Sequence, residues 1–343
     1  MIKKRINSID VMRIIAAFAV VTVHTKFFGS RYLNSTLINA VPLFFMISGF
    51  FYCVSQEKKL KRIKSMFAIT VMSNLLYMVV GLVMSYLQGN LSEFVSEKFS
   101  LESLINFVFF NDSPFAVHLW YLSALLYCMV IDYFISKFNI SKKVILVAII
   151  TIIMVDFIIG KYSILIWGGE LPGVWIRNFI FSGLPYFYAG KLFRTVDIDK
   201  FKVSNVWLII LMVLFTLTTL AEKFTMNYYQ VAAQRENYVS STLFTFVLFI
   251  FLLKNPAENP SKFVALLADL GRKYSLYIYV DHMLFRHMFA LAKDVLGETF
   301  ENIFFIFGPI FMIACSFAVA VAYYKAKQLI MKKIQQRKVL KEG

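Results

Sequence analysis

The chain has 343 residues, of which 59% are hydrophobic and only 16% are charged, and its mean hydropathy is +0.68. Soluble domains contain about 45–50% apolar and about 25% charged residues, so this composition excludes an ordinary soluble protein. The net charge of +16 would suggest nucleic-acid binding in a soluble protein. In a membrane protein it is expected from the lysines and arginines of cytoplasmic loops, so we predict no nucleic-acid partner.

Apolar runs long enough to cross a bilayer recur along the whole chain. Lysine and arginine concentrate in every second connection between these runs, which predicts that both termini are cytoplasmic. No small-residue cleavage site follows the first run, which we therefore interpret as a span rather than a signal peptide. We predict an all-α transmembrane helical bundle in residues 1–325 and a basic cytoplasmic tail in residues 326–343. The predicted spans number about ten, at 9–28, 36–55, 65–88, 117–136, 143–160, 175–193, 205–222, 238–254, 274–292 and 301–324.

The three cysteines, Cys53, Cys128 and Cys315, all lie in predicted spans. They show no paired spacing, so they indicate neither a disulfide framework nor a metal site. We interpret them as small apolar packing residues and predict no metal.

The first predicted span contains three ionisable residues, Asp10, Arg13 and His24. Charged groups in a bilayer are costly and face the bundle interior or an aqueous cavity. Arg13 and His24 share one helix face at about 100° per residue, with backbones roughly 16 Å apart. Asp10 lies three residues before Arg13 and can pair with it. Two interpretations are open: a structural network that fixes helix packing, or a polar track through the membrane.

At these residues the sequence resembles a known family. Arg13, ten intervening residues and His24 reproduce the Arg/Lys-x10-His signature of the integral-membrane acyltransferases of family 3. Four further segments resemble spans of that family in the same order, so the resemblance extends from about residue 5 to about residue 290. They are "VPLFFMISGFFY", "HLWYLSALLY", "IRNFIFSGLPYFYAGKLF" and "LGRKYSLYIYVDHMLF".

The resemblance implies an O-acyltransferase that moves an acyl group, commonly acetyl from acetyl-CoA in the cytoplasm, to a hydroxyl of a surface glycan or glycolipid. It places the chain in the bacterial cytoplasmic membrane, with acyl-CoA as a substrate and no bound cofactor. A hydroxyl is a poor nucleophile until a base removes its proton, and a histidine pKa near 6.5 suits that task. His24 is therefore the expected general base or transient acyl carrier. Arg13 is expected to stabilise charge on the thioester side, and Asp10 to orient Arg13.

The donor requires an anion site on the cytoplasmic face. Residues 58–64, "KKLKRIK", crowd five cations there, which is also the ordinary pattern of cytoplasmic flanks. The family often has Arg-x-x-Arg at this position, whereas this chain has Lys61 and Lys64 with Arg62 between them. Lysine binds phosphate as a point charge but lacks the bidentate fork of arginine. We assign acyl-CoA binding to Lys61, Arg62 and Lys64.

Further candidate residues lie on later spans. The resemblance adds His118 to the catalytic set, while Trp120 could also be an interfacial anchor. Arg177 and Asn178 open the sixth span, where a cation and an amide could hold an acceptor or a developing oxyanion together with Trp120. Asp281 and His282 lie deep in the ninth span and are expected to be partnered across helices, in an intramembrane network.

The membrane portion of membrane-bound serine racemases resembles the same family. The alternative function is therefore a carrier domain that conducts an amino acid such as serine. A soluble racemase domain would distinguish the two, and none follows residue 325 or so. Membrane lipids, acyl-CoA and a glycan acceptor are the predicted partners, and a homodimer is one assembly that we consider.

Overall fold

The computed structural model describes residues 6–37, 39–138, 140–233 and 237–342. The first five residues, which the sequence assigns to the cytoplasm, and residue 343 of the predicted tail lie outside this set. All regular secondary structure in the described residues is helical. The α-helices are α1 (Asn7–Val23), α2 (Ser30–Leu37), α3 (Ala40–Phe51), α4 (Gln56–Leu87), α5 (Leu91–Lys98), α6 (Leu101–Phe110), α7 (Trp120–Ile135), α8 (Lys142–Ile159), α9 (Ser163–Trp167), α10 (Gly173–Ile176), α11 (Leu184–Thr195), α12 (Asn205–Tyr228), α13 (Val239–Lys254) and α14 (Lys262–Glu342).

Four helical segments among the described residues are long and apolar enough to cross a membrane. Three shorter apolar helices, α3, α6 and α13, accompany them. The all-helical prediction is confirmed, whereas the count of ten spans and the cytoplasmic termini stay predictions. The predicted span 175–193 is not one continuous α-helix, because the π-helical turn Phe179–Gly183 interrupts it just before α11. The four segments are Gln56–Leu87, Val117–Ile135, Asn205–Tyr228 and Val295–Lys333.

The chain forms two compact units. We call Met1–Ala40 with Asn255–Gly343 the terminal unit, and Val41–Lys254 the central unit. In the terminal unit, α1 packs along α14. Their backbones approach closely at Gly271, where an added Cβ would lie 1.9 Å from the Asp10 carbonyl oxygen. Small residues allow such close approach of membrane helices.

Helix α14 consists of two arms separated by a break at Gly297, whose φ of 73° lies in the left-handed region that favours glycine. Aromatic contacts show that the arms run antiparallel. Ring centroids are 5.5 Å apart for Tyr274 and Phe317, and 4.9 Å apart for Phe289 and Phe304. The arms therefore correspond to the separately predicted segments 274–292 and 301–324.

In the central unit, α3 and α11 approach each other closely through two glycines. An added Cβ at Gly49 would lie 1.9 Å from the Phe187 carbonyl oxygen, and one at Gly190 would lie 1.9 Å from the Met46 carbonyl oxygen. Helix α4 packs against α7, α8 against α11, and α12 against α13. Ion pairs from Lys59 of α4 and Lys191 of α11 to Asp132 of α7 bring the ionisable residues of these three helices together.

The cysteine prediction is only partly correct. Cys128 is fully buried and serves as a packing residue, as expected. Cys53, however, is exposed, and Cys315 is half-buried. Cys53 is exposed because α3 ends at Phe51, two residues earlier, so the predicted span 36–55 extends beyond the helix.

We expect Gly49→Ala and Gly190→Ala each to lower the temperature of thermal unfolding in detergent by several degrees. The new methyl group cannot fit against a carbonyl oxygen, and overpacking of this kind costs about 1–3 kcal/mol. Gly169→Ala is the control, since nothing lies within 4 Å of an added Cβ there. Unchanged unfolding temperatures in both test variants would contradict the close packing of α3 and α11.

Candidate functional site

The terminal unit holds a network of paired charges on α1 and α14. Asp10 is buried and pairs with Arg13 at 3.3 Å, which confirms the predicted i,i+3 contact. It also pairs with Arg272 at 3.3 Å, and Arg272 in turn contacts Asp269 at 2.6 Å. Lys273 donates to Asp269 as well, and this hydrogen bond raises the pKa of Lys273 above its ordinary value. One carboxylate thus orients the arginine of the signature and fastens α1 to α14.

His24 lies directly after the last residue of α1 and faces His282 of α14. The two ring centroids are 5.2 Å apart, with 37° between the ring planes. His282 is 0% exposed, and its Nδ1 lies 2.8 Å from the Tyr279 carbonyl oxygen. Because a carbonyl can only accept, Nδ1 is the donor, and in the neutral ring Nε2 carries the lone pair. Across helices, His282 thus contacts His24 through its ring, while the hydrogen bond of Nδ1 stays within α14. The predicted intramembrane network stays a prediction.

Asp281 differs from its neighbour His282. It is 7% exposed, and its Oδ1 has no hydrogen-bond partner among the residues that the structure describes. The predicted partnership across helices is therefore not observed for Asp281. Its position beside His282 in sequence places it in the same arm of α14, without a described cation to pair with.

An open cavity of about 450 Å³ adjoins His24 in the terminal unit. The end of α1 forms one side, and the two arms of α14 form the others. Phenylalanine rings make up much of the wall, and charged side chains contribute the polar part. The lining residues are His24, Thr25, Lys26, Arg286, Phe289, Ala290, Phe300, Glu301, Phe304, Phe305 and Met312. His24 therefore meets a buried histidine and also contributes to a space large enough for a small ligand.

In the central unit, His118 and Trp120 lie where α7 begins. His118 is buried in a 3₁₀ turn, and its ring forms a T-shaped contact with Tyr77 on α4, with 4.9 Å between centroids. Arg177 places its guanidinium 5.7 Å from the centre of the buried Trp120 ring. This cation–π contact fixes the arginine. The structure thus brings together Trp120 and Arg177, two of the three residues predicted for an acceptor site.

Asn178, the third of these residues, is engaged with the backbone. Its Oδ1 accepts from the amides of Ile180 and Phe181, which caps the π-helical turn Phe179–Gly183. Its Nδ2 donates to the carbonyl oxygens of Val174 and Trp175. Both N–H groups of the side chain are thereby used, which leaves none for an oxyanion. In this arrangement the side chain of Asn178 holds the backbone on both sides of Arg177.

Asn111 supports the same region and was not predicted from the sequence. It is fully buried in the left-handed conformation that ends α6. Its Oδ1 accepts from the Phe179 amide at 2.7 Å, and its Nδ2 donates to the Trp120 carbonyl at 3.3 Å. Burial raises the pKa of the adjacent Asp112, while nearby Arg177 acts in the opposite direction. The only sequence signal was an asparagine after an apolar helix, a common helix-ending pattern.

A second polar cluster lies at the other end of the α4–α7 pair. Buried Lys59 pairs with Asp132 at 2.8 Å, and Lys191 of α11 pairs with the same carboxylate. Lys59 and Tyr77 are 18 residues apart on α4, so roughly 27 Å separates this cluster from the surroundings of His118. That separation is close to the thickness of the hydrocarbon core, about 30 Å.

The predicted donor residues Lys61, Arg62 and Lys64 lie beside this cluster in sequence and are all exposed. Arg62 donates through Nη1 to the Phe51 carbonyl at 2.6 Å, which holds it at the end of α3. The two neighbouring lysines project from the first turns of α4. The three exposed cations therefore remain accessible to an anion. Lys59, in contrast, is buried and paired with Asp132.

The long apolar helices and the buried ionisable clusters together define a multi-pass helical membrane protein. Residues 6–325 match the family model of an acyltransferase domain. This is acyltransferase family 3, the family that the Arg13–His24 signature resembles. Because the match covers nearly the whole chain, the protein belongs to this family of membrane acyltransferases. No curated protein and no solved structure matches the chain.

Removing the carboxylate of Asp132 is expected to destabilise the central unit. Asp132→Ala leaves the ammonium of buried Lys59 without its counter-charge, which costs about 3–5 kcal/mol in other buried pairs. Thermal unfolding in detergent measures the loss, and Asp197→Ala, at an exposed carboxylate, is the control. The triple variant Lys59→Met, Asp132→Leu, Lys191→Met removes all three charges and should recover most of the stability. An Asp132→Ala protein as stable as the wild type would contradict this assignment.

Asn178→Ala is expected to lower the unfolding temperature, because it removes four hydrogen bonds to backbone groups. Each lost bond contributes about 1 kcal/mol. Asn227→Ala, at an exposed asparagine of α12, is the matched control. If Asn178→Ala instead left stability unchanged and lowered only the turnover number, Asn178 would be a substrate-contacting residue.

Proposed function

We propose that the protein is a transmembrane O-acyltransferase. It moves an acyl group, acetyl in the simplest case, from cytoplasmic acyl-CoA to a hydroxyl of a surface glycan or glycolipid at the outer face. We propose the bacterial cytoplasmic membrane as its location, with about ten spans and both termini inside. The observation that carries the proposal is the geometry of His24, whose ring contacts buried His282 and also lines an open cavity.

The reaction needs a base at the acceptor hydroxyl. In the proposed direct route, His24 takes the hydroxyl proton while the oxygen attacks the acyl carbonyl carbon. The new C–O bond forms, the C–S bond of the thioester breaks, and the CoA thiolate leaves and takes up the proton from His24. In the second route, the His24 nitrogen attacks the thioester carbonyl carbon and the CoA thiolate leaves. The acceptor oxygen then attacks the acyl-imidazole, the C–N bond breaks, and the freed His24 nitrogen takes up the hydroxyl proton. Either route needs a histidine that is oriented and accessible at the same time.

We propose that His282 positions His24. Its own orientation is fixed by the bond from Nδ1 to the Tyr279 carbonyl, and its ring lies against His24. A ring that is held in this way reduces the reorganisation needed when His24 accepts a proton. Arg13 is held by Asp10, which Arg272 anchors in turn. We propose that Arg13 stabilises negative charge that develops on the thioester side.

We propose that the donor is bound by the exposed cations Lys61, Arg62 and Lys64. Acyl-CoA carries phosphate groups, and lysine and arginine bind phosphate through charge-assisted hydrogen bonds. Exposure of all three side chains supports this role. Lys59, in contrast, is buried and pairs with Asp132. We therefore assign it a role in stabilising the start of α4 and not in binding the donor.

In the central unit, we propose that His118, Trp120 and Arg177 contact the acceptor. Arg177 offers a fixed guanidinium with several donors toward hydroxyl or carboxylate oxygens. Asn178 and Asn111 hold the backbone on both sides of this group. We assign these two asparagines positioning roles, because their side-chain hydrogen bonds go to the backbone.

The test is purified protein in lipid nanodiscs with labelled acetyl-CoA and glycan acceptors, followed by mass spectrometry of the products. His24→Ala should lose acyl transfer and acetyl-CoA hydrolysis by at least about a hundredfold, the usual contribution of a general base. His287→Ala is the matched control, since His287 is exposed and lies outside the cavity lining. Both variants should unfold at the wild-type temperature.

Full activity of His24→Ala would overturn the role of His24. The alternative carrier function is tested by the same purified protein in proteoliposomes. Uptake of labelled serine without any acyl transfer would contradict an acyltransferase and support the carrier.

A further inference from the structure

The central unit has an open apolar groove that the proposed reaction does not use. It lies along α8, α11 and α13, and its volume is about 600 Å³. Nearly all of its lining is aliphatic or aromatic. The residues are Lys142, Lys143, Leu146, Ile149, Ile150, Ile153, Met154, Phe157, Ala189, Leu192, Phe193, Thr195, Val196, Phe201, Val239, Thr242, Leu243 and Phe246.

The groove is elongated along α8. That helix lines it with side chains at helical spacing from Leu146 to Phe157, while α11 contributes residues such as Leu192 and α13 residues such as Phe246. From Lys142 to Phe157 the helix rises about 22 Å at 1.5 Å per residue. One leaflet contributes about half of a 30 Å hydrocarbon core. The length therefore suits an extended acyl chain better than a compact ligand.

Charge is present at one end of the groove only. Lys142 and Lys143 begin α8, line the groove and are exposed. Neither forms an ion pair with any residue that the structure describes. Two unpaired cations at the end of an apolar channel are complementary to an amphipathic ligand with a phosphate at one end and a hydrocarbon chain behind it.

We propose that this groove binds one acyl chain of an anionic phospholipid, with the lipid phosphate held by Lys142 and Lys143. The chain lies against the face of α8 that includes Ile150 and Ile153. A zwitterionic lipid offers the same chain but a headgroup without net charge, so a preference for anionic lipid is the signature of the site. The site is independent of the acyl-transfer reaction.

The test is native mass spectrometry of the full chain in detergent, titrated with phosphatidylglycerol or phosphatidylcholine. We expect the wild type to bind the first phosphatidylglycerol about thirtyfold more tightly than the first phosphatidylcholine, as two lysines beside an anionic headgroup imply. Lys142→Gln with Lys143→Gln should abolish this preference. Lys262→Gln with Lys325→Gln removes the same charge at two exposed lysines of the terminal unit and should preserve it.

Ile150→Trp, at an exposed position of the lining, fills the groove and should weaken binding of both lipids. The proposal would be overturned by equal affinity of the wild type for both lipids. It would also be overturned if the two lysine pairs had the same effect, or if Ile150→Trp bound lipid as the wild type does.

Discussion

The proposed chemistry of this protein depends on the contact between His24 and His282. Hydrocarbon offers no hydrogen bonds, so ionisable side chains in membrane helices need partners within the protein. His282 is fully buried and obtains one partner from the Tyr279 carbonyl, and its ring meets His24 at 5.2 Å. The absence of a side chain at Gly271 permits the close approach of α1 and α14 beside Asp10. The packing that pairs Asp10 with Arg272 and His282 with His24 therefore also presents a histidine to an open cavity.

The central unit follows the same rule, and it separates charges that hold the fold from charges that remain accessible. Asp132 forms ion pairs with buried Lys59 and with Lys191. Lys61, Arg62 and Lys64, on the first turns of α4, are exposed. About 27 Å further along α4, the His118 region is built in a similar way. There the amide of Asn178 is used for backbone bonds, and Arg177 is fixed over an aromatic ring. Because the chain belongs to the acyltransferase family, acyl transfer is the reaction in which the roles of these accessible groups are proposed.

Local features of the structure could be predicted from the sequence, and long-range pairings could not. The Asp10–Arg13 pair follows from a spacing of three residues on one helix. Arg272 and Asp10, in contrast, are 262 positions apart, and no local pattern relates them. Asp132 escaped notice because its partners lie on other helices, so its role becomes visible only when α4, α7 and α11 are packed together. The π-helical turn capped by Asn178 was missed for a different reason, since hydropathy detects apolar runs and is insensitive to interruptions of helix geometry within them.

In the proposed reaction, His24 and His282 work as one unit, and a double-mutant cycle tests this directly. The rate of acetyl-CoA hydrolysis would be measured for purified wild type, His24→Ala, His282→Gln and the double variant, with thermal unfolding followed in parallel. If His282 acts through His24, the double variant should be no slower than His24→Ala alone, because groups that act together are strongly non-additive. Rate losses that multiply in the double variant would show that the two residues act independently and would contradict the account.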